Sequence, residues 1–134
     1  MKIVHFQNGE RIIRAGEREK RMFIVLEGSV SISLLAENRQ DKVEVARLGV
    51  NDFFGEISFF TDQPRSATVT AETNVKLAEI SDIRHLDAFL IKNPAFAAKM
   101  VRILASRLAR TDEYLVSKVK ELERLQILTN RYGR

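Results

Sequence analysis

Two kinds of hydrophobic spacing divide the chain near Ser81. Before it, apolar residues alternate with polar ones or gather in short runs rich in Val and Ile: "IVHF", "RIIRAG", "MFIVLEGSVSISLL", "KVEVARLG", "SATVTAET" and "VKLAEIS". Gly, Asn or Asp separates the runs. A period of two belongs to a strand with one buried face, and branched side chains suit a pleated surface. "LEGSVSI" predicts a tight turn between antiparallel strands, with Gly28 supplying positive φ. "LAENRQDKV" predicts a polar loop between two more. Many short strands with regular turns predict a sandwich or an antiparallel β jelly roll, a double-stranded β-helix. No internal repeat or low-complexity segment interrupts them.

From Ser81 the period lengthens. "SDIRHLDAFLIKN" opens on a Ser/Asp cap and places Ile83, Leu86, Phe89 and Leu90 at helical spacing; Asn93-Pro94 ends it. Pro94 suits the first turn of a second, longer helix that reaches about Thr129. Its stripe reads Phe96, Met100, Leu104, Leu108, Thr111, Leu115, Val119 or Lys118, Leu122 and Leu125, close to a heptad seam with Glu, Lys or Arg beside it. Roughly 35 helical residues make about 50 Å at 1.5 Å each, more than a small barrel covers. The distal part, from about Leu115, is therefore expected to meet another helix, and a parallel homodimer is the simplest arrangement. The expected fold is mainly β with α. Residues 1–93 form a β-roll with a short hinge helix, and residues 94–134 a long C-terminal lid and dimerisation helix, within one domain overall.

Composition narrows the possible functions. At 134 residues, with 45% apolar and 30% charged, the chain holds one domain with a real core. No apolar run approaches membrane-spanning length, and the start Met-Lys-Ile-Val-His-Phe has no signal-peptide core, so a cytoplasmic protein without a membrane partner is expected. The absence of cysteine removes disulfides, thiolate zinc sites, Fe–S clusters and a cysteine nucleophile together. A net charge of +4 raises the question of nucleic acid. However, the basic residues are spread out, and Arg102, Arg107, Arg110 and Arg124 share helical faces with Asp112, Glu113, Glu121 and Glu123. With no basic block and no aromatic platform, direct nucleic-acid binding by this chain is not expected. His5 and His85, the two histidines, fall on an opening strand and on the first helix. Both are expected at the surface, and a metal cluster of the cupin kind is not expected. Hydrolysis lacks a nucleophile elbow and a base, so no enzyme is expected.

One stretch carries unusual chemistry: "FFGEISFFTDQPRSATV", residues 53–69. It sets one carboxylate, Glu56, among Phe53, Phe54, Ile57, Phe59 and Phe60, and one guanidinium, Arg65, nine residues on. Such groups are costly in apolar company unless something pairs with them. Gly55 before a short helical turn lets the backbone approach a ligand, and free N–H groups at a helix start attract an anion. Arg65 offers a planar fork for a phosphate, and Ser66 a hydroxyl donor. Glu56 only accepts, so it repels phosphate and suits sugar hydroxyls. One molecule carrying an anion beside a sugar hydroxyl satisfies both, with the four phenylalanines keeping the site dry. The alternative is an internal Glu56–Arg65 ion pair without a ligand.

Phe54-Gly55-Glu56-Ile57 and Pro64-Arg65-Ser66-Ala67 resemble the phosphate-binding cassette of the cyclic nucleotide-binding domain family, at the family's spacing. The resemblance covers nearly the whole chain. "FQNGERIIRAGE" and "MFIVLEGSVSI" are similar to the family's opening strands, and the two last helices to its hinge and lid helices. It implies a jelly roll that binds cAMP, or cGMP, as a regulatory ligand. In that scheme Glu56 takes the ribose 2′-hydroxyl and Arg65 the cyclic phosphate. Ser66 and the backbone of Gly55, Ile57 and Ala67 complete the phosphate shell, and Ser58 lines the same turn. "SRLARTDEYL" resembles the base-contacting segment of the bacterial catabolite activators and places Thr111 and Asp112 there. Asp112 departs from the Ser of those relatives, and its carboxylate suits the amino edge of a purine.

The resemblance also implies an output. Relatives that regulate transcription carry a helix-turn-helix after the long helix. This chain ends at Arg134, just past that helix, so an output domain or partner beyond residue 134 is expected. The alternatives are the sensory part of a catabolite activator-like regulator and a ligand-free dimerisation module. The helix many relatives carry before the barrel is expected to be short or missing. The charged "AGEREKRMF" segment is expected to be solvated.

Overall fold

The computed structural model of the protein describes residues 1–35 and 42–132. The polar loop expected within "LAENRQDKV" falls largely outside the described residues. Among the described residues eight strands come first: β1 (Lys2–Phe6), β2 (Arg11–Ile13), β3 (Met22–Glu27), β4 (Val30–Leu35), β5 (Lys42–Leu48), β6 (Phe53–Phe54), β7 (Thr68–Ala71) and β8 (Val75–Ile80). A short helix, α1 (Glu56–Phe60), stands between β6 and β7, and α2 (Ile83–Lys92) and α3 (Pro94–Tyr132) close the chain. Two compact units divide it, Met1–Asn93 and Pro94–Arg134.

Within the first unit the strands form two antiparallel four-stranded sheets, ordered β1-β8-β3-β6 and β2-β7-β4-β5. This is the antiparallel sandwich of jelly-roll kind that the alternation predicts. Phe23, Val25, Val30, Phe54, Val69, Ala71, Val75 and Leu77 fill the core between the sheets. β3 departs from alternation: Met22, Phe23, Ile24 and Val25 are all buried. One face meets the core and α1 packs against the strand, so its sequence reads as a continuous apolar run. Helix α1 packs on β3, and α2 packs on β8. Asp82 caps α2 by accepting from the main-chain N–H of Arg84 at 2.9 Å.

The turn expected at Gly28 is a different object. Gly28 does have positive φ, at 87°. Yet β3 pairs with β6 and β8, whereas β4 pairs with β5 and β7. The "LEGSVSI" segment is thus a corner between the two sheets, not a hairpin. A side chain at Gly28 would also strike the Asn74 carbonyl, 2.5 Å from its Cβ position. The pairing of Phe53-Phe54 as β6 was not legible in advance, because two residues carry no period.

Helix α3 spans 39 residues, a few beyond the expected end, or about 58 Å at 1.5 Å per residue. Leu108, Leu115, Leu122 and Leu125 of its expected seam are 64%, 54%, 65% and 59% exposed.

Candidate functional site

Chain geometry explains how a glutamate and an arginine come to be buried together. β6 delivers Phe54 into the core, and the next residue, Gly55, turns the chain with φ +83° into α1, of which it is the N-cap. Glu56 and Ser58, on the first turns of α1, are 6% and 3% exposed. The chain then crosses Pro64 to Arg65, which is 5% exposed, before entering β7. Ser66 is exposed, and Pro64 and Ala67 are half-buried. Ile57 faces outward, 54% exposed.

The guanidinium of Arg65 is held by main-chain oxygens. Nη1 donates to the Gly55 carbonyl at 2.9 Å and Nη2 to the Arg21 carbonyl at 2.6 Å. Two neutral carbonyls thus anchor the fork. The remaining Nε is buried without a hydrogen-bond partner. Burial pushes the guanidinium below its ordinary pKa; Glu19 pulls it back, Arg21 opposes, and Glu17 and Glu56 add smaller pulls. A cation tethered by two neutral carbonyls, with its Nε–H unused, is disposed to accept an anion. Gly55 has a steric reason to be glycine: a Cβ there would lie 2.9 Å from both the Arg21 oxygen and Arg65 Nη1.

The phenylalanines around this turn divide. Phe53 and Phe54 are 1% and 3% exposed, and Phe54 stacks on Phe23 with centroids 5.1 Å apart. Phe60 is 52% exposed and Phe59 half-buried, so these two do not seal the turn as expected; they meet edge to face at 5.0 Å. On the five-residue α1 the buried positions are Glu56 and Ser58.

The charged segment from Ala15 to Phe23 is exposed in part, but it is also tied down. The Gly16 N–H donates to the Arg65 carbonyl and the Arg65 N–H to the Glu17 carbonyl, both at 2.8 Å. Arg18 donates to the Asp62 carbonyl at 2.8 Å, and Lys20 pairs with Asp62 at 2.6 Å. Arg21 pairs with Glu19 and with Glu79. Burial alone would lower the Arg21 pKa; the hydrogen bonds to Glu19 and Glu79 outweigh that and raise it. Sequence reading missed Arg21, Glu19 and Glu79 as a group. A signal for Glu79 existed: it follows Val75 and Leu77 at strand spacing, and both are buried, so an acid on that face demands a partner.

Thr111 and Asp112 lie in the second unit, on α3, and both are exposed. The Thr111 hydroxyl donates to the Arg107 carbonyl one turn back, at 3.0 Å, the usual local bond of a helical threonine. His5 and His85 are exposed, and no group of three metal-ligating side chains occurs among the described residues. No helix of the described residues is long and apolar enough to cross a membrane.

Comparison with known proteins now bears on this geometry. Residues 3–91 match the family described as "Cyclic nucleotide-binding domain". The chain is 29% identical over 116 residues to a "CRP-like cAMP-activated global transcriptional regulator" of Mycobacterium tuberculosis, covering 87% of this chain and 51% of the relative. It thus spans about half the length of the curated relatives it matches. Among solved structures, the N-terminal domain of a transcriptional regulator from Streptomyces coelicolor is 30% identical, with TM-score 0.61, over 84% of this chain and 79% of that one. The regulatory domain of Toxoplasma gondii PKA, crystallised with cAMP, is 32% identical, with TM-score 0.56, over 59% of this chain and 30% of that one.

Proposed function

We propose that this chain, which belongs to the cyclic nucleotide-binding domain family, is the sensory part of a transcriptional regulator that responds to a 3′,5′-cyclic purine nucleotide, cAMP in preference to cGMP. The observation that carries the proposal is the buried Arg65 fork, tethered to two carbonyls beside Gly55 and Glu56. That donor set fits the ligand's chemistry. Arg65 takes the cyclic phosphate, with Ser66 and the backbone of Gly55, Ile57 and Ala67 around it, and Phe54, Ser58 and Pro64 shape the turn. Glu56 accepts from the ribose 2′-hydroxyl, and Thr111 and Asp112 meet the base. cAMP is favoured because it is named for the mycobacterial relative and is present in the apicomplexan structure.

The two bacterial relatives named as regulators of transcription support a DNA-binding output over other outputs. Signal passes through α3, whose exposed Leu115 and Leu122 pair with a second copy of the chain. A ligand shifts the helix only by its differential affinity for two helix positions.

Calorimetric titration with cAMP, cGMP and 2′-deoxy-cAMP tests the reading. A ligand of about 22 heavy atoms at roughly −0.3 kcal/mol per atom gives about −7 kcal/mol, or micromolar binding. Glu56→Gln should weaken cAMP and leave the deoxy analogue little changed. No heat and no melting shift with any of the three at millimolar concentration would refute the proposal.

A further inference from the structure

We infer that Arg21 is a positioning residue for the anion site, whose side-chain ion pairs hold the carbonyl to which Arg65 is tethered. The inference rests on the reading that Arg65 takes the cyclic phosphate. Both tethers of Arg65 flank one row of paired residues. The shorter one, 2.6 Å, ends on the Arg21 carbonyl itself. The guanidinium of Arg21 is fastened at the same time to Glu19 and to Glu79, and it lies 5.7 Å from the centroid of the Phe23 ring. Phe23 stands opposite Glu79 on β8 and opposite Phe54 on β6. Phe54 immediately precedes Gly55, whose carbonyl is the other tether. The row Glu79, Phe23, Phe54 therefore runs straight across the sheet, and Arg21 clasps its outer end.

Charge acts in the same direction as geometry. Glu79 has only 12% of its side chain exposed and Glu19 38%. Arg21 neutralises part of that negative charge beside Arg65. Without it, Glu19, whose charge reaches Arg65, is left unneutralised, and an incoming phosphate meets repulsion as well as a loosened donor.

Arg21→Met tests this, since methionine keeps apolar cover over Phe23 and removes the guanidinium. cAMP affinity by calorimetry is expected to fall roughly tenfold, the value of one well-placed charge-assisted hydrogen bond. In an Arg65→Lys background the same change should cost less than about threefold, because its path runs through Arg65. In the protein without nucleotide, the Arg65 Nε–H resonance should exchange faster with water in Arg21→Met than in the unmutated chain. Glu79→Gln, nearly isosteric, should move both readouts in the same direction and decides the matter if Arg21→Met does not fold. Unchanged affinity in both variants overturns the inference, as does equal loss in the two backgrounds. If the unmutated chain binds no cyclic nucleotide, the functional reading falls, and the Arg65 resonance alone decides whether Arg21 positions the fork.

Discussion

Gly55→Ala isolates the contact on which the site depends, and Gly16→Ala supplies its control. Both glycines have positive φ, +83° and +90°. An alanine at either position therefore bears a similar backbone cost, about 1–2 kcal/mol. Their surroundings differ. Nothing lies within 4 Å of a Cβ at Gly16, whereas at Gly55 the Arg21 oxygen and Arg65 Nη1 lie at 2.9 Å and Ile13 Cδ1 at 3.3 Å. The Arg21 oxygen belongs to the peptide leading into β3 and cannot swing away. Arg65 can move, but only by giving up its bond to the Gly55 carbonyl, a charged hydrogen bond worth about 1.5–3 kcal/mol. Gly55→Ala should thus be less stable than Gly16→Ala by about 2 kcal/mol. With a urea slope of about 1.5 kcal/mol per M, the two midpoints should differ by more than about 1 M. Gly55→Ala should also lose cAMP affinity, while Gly16→Ala, which keeps the N–H donated to the Arg65 carbonyl, should retain it. Equal urea midpoints for the two variants would show that the space around Gly55 is not closed by the fork, and the reasoning would fail.

Arg65→Ala should cost roughly 2–5 kcal/mol of cyclic nucleotide binding, since it strips a desolvated charge of its partner. Ser66→Ala should cost about 1 kcal/mol, and comparable losses in calorimetry would count against Arg65 as the phosphate ligand. Leu115→Asp combined with Leu122→Asp places charge on an exposed apolar face of α3. It should give a single-chain mass in light scattering with nucleotide affinity retained; a dimer mass for this variant, or a monomer for the unmutated chain, refutes pairing through that face. Asp82 has its carboxyl held well below the usual range, chiefly by the Arg84 side chain and then by the Arg84 main-chain N–H. A folded pKa below the unfolded one means that its stabilisation is complete above about pH 4 and is lost as pH falls through the folded value. Asp82→Asn keeps the cap but not the titration, so its acid-unfolding curve should be shallower below about pH 4; superimposable curves exclude this carboxyl as a contributor.

What the sequence by itself determined was whatever is local. The period of two up to Ser81 and the helical period after it are properties of neighbouring residues, so strands and helices were legible, and so was the Asp82 cap. The Gly55, Glu56 and Arg65 pattern was legible because the residues stand close along the chain and their chemistry is unusual in apolar company. Tertiary structure alone decided which strands pair and what holds the fork. Gly28 has the same positive φ in a hairpin as in a corner between sheets, and only the partners of β3 and β4 distinguish the two. Arg21 reaches Arg65 across 44 positions and Glu79 across 58. In "AGEREKRMF" it looks like one more solvated charge. Its role arises because sheet register lines up Glu79, Phe23 and Phe54, and register is set by burial of a shared face, which no single segment encodes.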